Sequence, residues 1–262
     1  LRPVFPVIIM LYLALSLAGC ATTAALPPEA LPMHTLSEFS DDERIADIDD
    51  PWERFNRRMY TFNYYFDKYF FLPVVSGYEF VTPAFVQTGV SNFFGNVGEF
   101  RTLYNSLLQL KGVKALSTFA RFATNSTIGI GGLFDPATHF GLKKESEDFG
   151  LTLEYWGVNT GPYLVVPVVG PNTLRSAGGF AVDAAVRYAI LGTTKPFENV
   201  ENGNVNQMAI SALEAVDIRH RETFRYYESG YPFEYYMVRF LYLKRSELPL
   251  PDLKETAKKV NE

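Results

Sequence analysis

The sequence has little of the chemistry that enzymes and metal proteins use, with one cysteine, Cys20, and three widely separated histidines among 262 residues. A lone thiol cannot form an internal disulfide, and neither a C-x-x-C nor an H-E-x-x-H pattern occurs. No G-x-S-x-G elbow is present to support an acyl-lipid hydrolase of the α/β-hydrolase type. We therefore expect no enzyme, no catalytic residues, no metal site and no cofactor.

Basic runs and long hydrophobic runs are scarce as well. The formal net charge is −5, and no basic stripe occurs, so we expect no nucleic-acid partner. After residue 20, no apolar run approaches the ~20 residues that a spanning helix needs. The longest run, Tyr163–Val169, is short and contains Pro167. The sequence therefore predicts no ordinary spanning helix beyond its first residues.

What is present begins with a leader. Arg2 precedes a short apolar run, Val7–Leu17, which is typical of a signal peptide over residues 1–19. The run ends in Leu17-Ala18-Gly19-Cys20, the pattern of a bacterial lipobox, in which the cysteine is acylated after cleavage. Two or three acyl chains, at ~0.8 kcal/mol per buried methylene, hold a protein stably on a membrane. The alternative is a chance cysteine behind an ordinary secretory leader.

Composition divides the rest of the chain into a tether, a body and a tail. Residues 20–49 are rich in Ala, Pro and Thr and then acidic, which predicts a lipidated flexible tether. Ala21 stands where an aspartate would signal retention in the inner membrane, so we expect a lipid-anchored protein on the periplasmic face of the outer membrane. We expect one helical domain over residues 50–246 and a charged, disordered tail over residues 247–262.

The body opens with a strong helix start, because Asp50, Pro51 and Glu53 suit the N-cap, first and third positions. The pattern predicts a helix to about Phe70, ending before Pro73. An apolar stripe and a neighbouring polar stripe both follow helical spacing: Phe55, Met59, Phe62 and Phe66, and Asn56, Tyr60, Asn63 and Asp67. The polar stripe is either the flank of a surface helix or one wall of an amphipathic passage.

Two more helices are predicted from Pro83 to about Leu110 and over Val113–Thr127. Gly95 and Gly98 predict a break within the first of them. The second again carries two stripes: apolar Val113, Leu116, Ala120 and Ala123, and polar Lys114, Thr118, Arg121 and Asn125.

The remaining pattern predicts three helices, over residues 174–191, 205–221 and 235–245. In the middle one, Val205, Met208 and Leu213 are expected to face inward. Tyr163–Val169 is expected to be a strand or an extended segment. The fold class is therefore mostly α, with little or no strand.

Several segments together resemble a known family. Asp50-Pro51-Trp52-Glu53-Arg54-Phe55-Asn56-Arg57-Arg58-Met59-Tyr60-Thr61-Phe62-Asn63 resembles the D-P-x-E-x-F-N-R-x-M-Y-x-F-N signature of the VacJ/MlaA family of outer-membrane lipoproteins. Val90–Asn96 is similar to its S-N-F-x-G-N segment. Arg121–Gly132 is similar to its R-F-x-x-N-T-x-x-G-x-G-G segment, with Ser126 intruding before Thr127. The likeness covers roughly residues 50–217 in the same order.

The resemblance implies a single ring-like helical domain with an amphipathic channel, seated in the inner leaflet of the outer membrane. It implies the removal of mislocalised phospholipid from the outer leaflet, transfer to a periplasmic lipid shuttle protein, and association with a trimeric porin. Candidate residues for the lipid pathway are Asn56, Tyr60, Asn63, Asp67, Lys114, Arg121 and Asn125, and candidate hinges are Gly95, Gly98, Gly131 and Gly132. The alternative is a scaffold lipoprotein that ties a porin or the cell wall to the membrane without moving lipid.

Overall fold

The computed structural model of the protein describes residues 50–194, 203–228 and 233–244. The expected signal peptide, the tether with Cys20 and the tail over residues 247–262 lie outside the described residues. Within them the fold is mostly α, as the sequence predicts, with one small two-stranded sheet.

The elements follow one another along the chain as α1 (Glu53–Phe66), a π-helical segment π1 (Asp67–Phe71), α2 (Leu72–Val81), α3 (Ala84–Leu108), α4 (Gly112–Thr127), α5 (Pro136–His139), α6 (Phe149–Tyr155), β1 (Tyr163–Val166), β2 (Gly170–Thr173), α7 (Leu174–Thr194), α8 (Gly203–Arg221) and α9 (Glu234–Lys244). The bounds of α4, α7, α8 and α9 agree with the predicted bounds to within one helical turn.

The first helix extends beyond its predicted end. The carboxylate of Asp50 accepts a hydrogen bond from the Trp52 N–H at 3.1 Å, and α1 begins at Glu53. The predicted end before Pro73 is wrong, because π1 and α2 continue the helix to Val81. A proline inside an α-helix clashes with the carbonyl four residues earlier, and the wider turn of π1, which ends two residues before Pro73, relieves that clash.

The break predicted at Gly95 and Gly98 is also wrong, because α3 is a continuous helix of 25 residues. Each glycine costs only about 1 kcal/mol in a helix. The neighbouring side chains of Asn96 and Glu99 are buried and hydrogen-bonded to α4 at 2.9 and 2.8 Å. These tertiary contacts outweigh the low helix propensity of the glycines.

β1 and β2 form an antiparallel hairpin in which Tyr163 pairs with Thr173. The segment that the sequence leaves between strand and extended chain is thus a strand over its first four residues. The hairpin packs on α1 and α9, where Tyr60, Tyr163, Val165 and Tyr235 form a small buried cluster. This cluster joins the first described helix to the last.

Candidate functional site

The described residues reverse the usual distribution of polar and apolar side chains. More polar and charged residues than hydrophobic ones are buried, whereas soluble domains bury mainly apolar residues. Large apolar side chains lie outside instead, and Phe80, Phe85 and Val113 are 91, 79 and 88 % exposed. No helix within the described ranges is both long and apolar enough to cross a membrane. This part of the chain therefore has a polar interior beneath an apolar exterior.

On α1 the polar stripe faces inward and the aromatic stripe faces outward. Asn56, Tyr60 and Asn63 are buried, whereas Phe55 and Phe62 are exposed. Of the two interpretations of the polar stripe, the flank of a surface helix is therefore wrong. The stripe belongs to the interior.

Asn56 and Asn63 bind the hairpin as a neighbouring strand would. Asn56 Nδ2 donates to Tyr163 O at 3.0 Å, and its Oδ1 accepts from Val165 N at 2.8 Å. Asn63 makes the equivalent pair three residues further along the chain, at 3.1 and 2.7 Å. Seven residues of α-helix rise about 10.5 Å, and three residues of strand rise about 10 Å. The two amides therefore meet equivalent backbone groups.

Tyr60 and Asp67, the other two members of the α1 stripe, also have protein partners. The Tyr60 hydroxyl donates to Glu234 Oε1 at 2.7 Å, and burial together with this carboxylate raises the pKa of Tyr60. Asp67 accepts hydrogen bonds from Nε and Nη2 of Arg219 at 2.5 and 2.7 Å. All four side chains of the stripe thus bind other parts of the protein. Their role in a lipid pathway stays a prediction.

The polar stripe of α4 also faces inward, since Thr118, Arg121 and Asn125 are buried. The apolar stripe lies on the outside, where Val113 and Leu116 are exposed. Both α1 and α4 thus turn the face that the sequence marks as apolar toward the exterior.

Arg121 is the centre of this interior and is 2 % exposed. Its Nε donates to Glu99 Oε1 at 2.8 Å, and its Nη2 donates to both carboxylate oxygens of Asp135 at 3.2 and 3.1 Å. Its Nη1 donates to Thr138 Oγ1 at 3.1 Å and to the carbonyl of Leu142. A buried arginine requires such partners, because an uncompensated buried charge is costly.

Asp135 closes the turn after α4. Asn125 Nδ2 donates to Asp135 Oδ1 at 2.9 Å, and the same oxygen caps α5 by accepting from Thr138 N at 3.2 Å. Burial alone would raise the pKa of Asp135, but hydrogen bonds from Thr138, Asn125 and Arg121 outweigh burial and lower this pKa to about 2. Asp135 is therefore ionised at neutral pH and balances the charge of Arg121.

A second ion cluster lies at the first turn of α4. Lys114 Nζ is 2.6 Å from both Glu145 Oε2 and Glu147 Oε1, and Lys111 Nζ is 3.0 Å from Glu147 Oε1. Hydrogen bonds with Glu145 and Glu147 raise the pKa of Lys114. Lys114 thus ties α4 to the coil before α6.

Sequence reasoning missed the polar face of α3. Its buried members are Asn96, Glu99, Thr102, Asn105 and Ser106, and the buried Gln109 continues this face directly after the helix. They recur at the three- and four-residue intervals of one helix face, and this periodicity was visible in the sequence. Sequence reasoning also missed Asp183 of α7, whose Oδ1 accepts from Asn105 Nδ2 at 3.2 Å.

α8 shows the same inversion. Val205, Met208 and Leu213, predicted to face inward, are exposed. Asp217 of the same helix is buried, and its Oδ2 accepts from Arg221 Nε at 3.0 Å. The prediction was wrong because it assumed that the apolar face of a helix packs against the protein.

The predicted hinge glycines have different surroundings. Gly95 and Gly98 lie inside the unbroken α3. Gly131 and Gly132 lie in the turn after α4 with φ of 69° and 92°, values that favour glycine. A Cβ on Gly132 would lie 2.7 Å from Asn96, so this turn packs directly on α3. Hinge motion at these glycines stays a prediction.

The histidines and acidic groups of the described ranges form no metal cluster. No group of three or more His, Cys, Asp or Glu side chains there could hold a metal ion. His139 Nδ1 lies 3.1 Å from the carbonyl of Asp135, and His220 Nδ1 lies 2.7 Å from Glu79 Oε1, in a separate contact.

A helical body with a polar interior and a wide apolar exterior belongs to the class of proteins whose surface meets a membrane or another protein. Comparison with known proteins identifies the family within this class. The model of the MlaA lipoprotein family matches residues 48–248. The chain belongs to this family, and the resemblance noted in the sequence is confirmed.

Individual relatives agree with this assignment. The chain is 38 % identical over 138 residues to the intermembrane phospholipid transport system lipoprotein MlaA of Escherichia coli (strain K12), covering 51 % of this chain and 55 % of that protein. It is 31 % identical over 181 residues to the protein of the same name in Haemophilus influenzae, covering 67 and 65 %. It is 35 % identical over 167 residues to an uncharacterized protein of Rickettsia bellii, covering 64 and 66 %. The chain thus spans about half to two thirds of these relatives.

A solved structure from work on the structural basis for maintenance of bacterial outer membrane lipid asymmetry is also similar to the chain. The two share 28 % sequence identity with a TM-score of 0.56, over 76 % of this chain and 97 % of that one. The chain therefore shares its mostly helical fold with that structure.

Proposed function

We propose that this protein removes mislocalised phospholipids from the outer leaflet of the outer membrane and passes them to a periplasmic carrier. The observation that carries the proposal is the polar interior beneath an apolar exterior. The names of the Escherichia coli and Haemophilus influenzae relatives support it, because both are called lipoproteins of an intermembrane phospholipid transport system.

The physical requirement is a polar route for the headgroup and apolar surroundings for the acyl chains. Burying a charged headgroup without partners costs several kcal/mol. Amides, hydroxyls and charges on the inward faces of α1, α3 and α4 are hydrogen-bonded within the protein, and in this proposal some of these bonds are exchanged for bonds to a passing headgroup. The exposed aromatic and aliphatic side chains offer apolar contact. In this proposal the two polar stripes are walls of the amphipathic channel of a ring-like domain, and the glycine turn after α4 lets the walls move apart.

The anchor and the partners complete the proposal. Acylated Cys20 and the tether over residues 20–49 hold the helical domain at the periplasmic face of the outer membrane. By family resemblance, a trimeric porin surrounds or supports the domain and a periplasmic shuttle protein receives the lipid. Phospholipid is the only small ligand that the proposal requires.

The experiment measures phospholipid on the cell surface. Intact cells of a deletion strain, with and without the restored gene, are treated with an external phospholipase, and released fatty acid is counted. We expect more release in the deletion strain, restored to the low level by the wild type but not by Cys20→Ala. Equal release in all strains would contradict lipid removal and favour the scaffold function.

A matched variant distinguishes the requirement for the acyl anchor from the requirement for the outer-membrane location. Ala21→Asp keeps the cysteine and its acyl chains but introduces the signal for retention in the inner membrane. We expect this variant to be acylated, to fractionate with the inner membrane, and to leave surface phospholipid as high as in the deletion strain. Full restoration by Ala21→Asp would show that the outer-membrane location is not required.

A further inference from the structure

Residues 142–148, between α5 and α6, form a strap of coil that contacts both α3 and α4. At the first residue of this strap, the carbonyl of Leu142 accepts a hydrogen bond from Arg121 of α4. Two residues later, Lys144 lies against α3, since a Cβ on Gly95 would be 2.6 Å from its Nζ. The strap therefore begins where the middle of α3 lies beside the middle of α4.

The far end of the strap contacts the same two helices closer to the α3–α4 connection. Glu145 Oε2 is 2.6 Å from Lys114 Nζ of α4, and Glu147 N is 3.5 Å from Thr102 Oγ1 of α3. On each helix this contact lies seven residues, or about 10.5 Å, from the contact at the beginning of the strap. The strap therefore runs along the groove between α3 and α4 for two helical turns.

Buried polar groups lie in this groove. Arg121 and Thr102, which the strap contacts directly, are 2 and 3 % exposed, and Glu99 pairs with Arg121 across the groove at 2.8 Å. Opening the strap would uncover these groups on the side that the strap contacts. The polar interior that the proposed function requires therefore has a wall made of coil.

Charges and hydrogen bonds, rather than apolar packing, hold the strap in place. Residues 143–148 read KKESED and contain no hydrophobic side chain, and within the described ranges residues 143–147 make no backbone–backbone hydrogen bond. Glu147 Oε1 lies 3.0 Å from Lys111 Nζ and 2.6 Å from Lys114 Nζ. Segments with few buried apolar contacts open locally at the lowest free energy. The strap therefore opens more easily than the helices beside it.

We propose that the strap is a gate over the groove, and that the phosphate of a phospholipid headgroup opens it by replacing the Glu147 carboxylate between Lys111 and Lys114. These lysine side chains are 39 and 25 % exposed, so an anion from outside can reach them. A phosphodiester has one negative charge and two free oxygens, as a carboxylate has, and can accept the same charge-assisted hydrogen bonds. The inference rests on the proposed function, because it names the entrance for the lipid headgroup.

A cysteine beneath the strap tests the gate. Thr102→Cys places a thiol under the strap, and Thr173→Cys, at a buried threonine of β2, is the matched control. Each purified full-length variant is treated with a water-soluble maleimide. The label is counted by mass spectrometry on the peptide that holds the new cysteine, so Cys20 does not contribute. Rates are compared without lipid, with short-chain phosphatidylethanolamine, with diacylglycerol of the same chain length, and with inorganic phosphate at matched ionic strength.

We expect the phospholipid to accelerate labelling of Thr102→Cys by about fivefold and to leave Thr173→Cys unchanged. Diacylglycerol has no phosphate and should have no effect. Acceleration by inorganic phosphate as well would assign the site to the phosphate group by itself, and acceleration by the phospholipid alone would assign it to a headgroup. The inference is overturned if neither accelerates labelling, if diacylglycerol does so equally, or if Thr173→Cys responds equally.

Two charge reversals test what holds the strap closed. Glu145→Lys places a second cation beside Lys114, so we expect faster labelling of Thr102→Cys without any lipid. Lys143→Glu is the control, at an exposed side chain with no ion pair in the described part of the chain, and should not accelerate labelling. Equal rates in both would contradict an ionic closure.

A second measurement needs no cysteine. Because the Glu147 N–H faces Thr102 Oγ1, its hydrogen exchange in the unsubstituted protein also reports opening. If Thr102→Cys melts below the wild type, this exchange rate replaces the labelling rate, and we expect the phospholipid to raise it while diacylglycerol does not. An exchange rate that ignores the phospholipid would overturn the inference.

Failure of this inference is distinguishable from failure of the proposed function. If the gene restores low surface phospholipid in cells but phospholipid does not open the strap, the gate falls and lipid removal stands. If phospholipid opens the strap but surface phospholipid does not respond to the gene, the gate stands as a phosphate site and lipid removal falls.

Discussion

At the scale of single residues, Arg121 shows what a polar stripe in a sequence can and cannot tell. Its helical spacing with Asn125 places both on one face of α4, and the structure buries both. The spacing does not reveal Glu99 and Asp135, which come from α3 and from the turn after α4. Such partners depend on how helices pack and cannot be derived from periodicity along one helix.

This network gives a prediction for stability. Arg121→Leu is expected to destabilise the fold by ~3–5 kcal/mol, because it leaves two carboxylates without their cation. Thermal melting of the purified protein in detergent measures the loss. The control is Arg101→Leu, at an exposed arginine of α3, for which we expect a change below ~0.5 kcal/mol. Unchanged melting of Arg121→Leu would rule out the network as a source of stability.

The same result bears on tests of transport. A loss of lipid removal in Arg121→Leu would follow from lost stability alone and would not by itself identify a residue that lines a channel.

At the scale of elements, Asn56 and Asn63 join α1 to the hairpin segment, because two turns of helix and three residues of strand have nearly the same length. Asn56 is buried completely and serves two buried backbone groups. We expect Asn56→Leu to lower the melting temperature more than Asn63→Leu, with an effect of ~1–3 kcal/mol for each unpaired group. Circular dichroism during heating checks the order. Asn159→Leu, in an exposed coil, is the control, and a drop of equal size there would refute the assignment.

The existence and bounds of most helices were predictable, because apolar and polar stripes recur at helical spacing. Two features were not. Pro73 predicts a helix end, yet π1 provides the room for it, and the glycines of α3 predict a break that packing against α4 prevents. Both errors arise where tertiary contacts override local propensity.

At the scale of the whole molecule, the sequence reveals the two stripes of a helix but not their direction, and the direction assumed for α8 was wrong. Periodicity shows that a helix has two different faces and does not show which face is inside. The inward orientation assumed for the apolar residues of α8 holds for a protein surrounded by water. An exterior that carries Phe80, Phe85 and Val113 fits lipid instead.

This exterior leads to a prediction for membrane association. When the chain from residue 21 onward is produced behind an ordinary cleavable secretory leader, it lacks the proposed anchor, and we expect the folded protein to remain partly with membranes through its apolar exterior. Val113→Asp should release most of it, because a charge is costly in a bilayer, while folding is kept because Val113 is 88 % exposed. Fractionation and melting measure the two quantities. Ser146→Asp, in an exposed coil, is the control, and equal release by both variants would contradict a lipid-facing α4.

The polar interior also bears on heat capacity. The heat capacity of unfolding rises mainly with the apolar surface newly exposed to water. Here many large apolar side chains are already outside, and in a detergent solution detergent would cover them, so unfolding would newly hydrate chiefly amides and ions. The free energy of unfolding in detergent should therefore change only gently with temperature, and cooling should weaken this body less than it weakens a water-soluble domain of the same length.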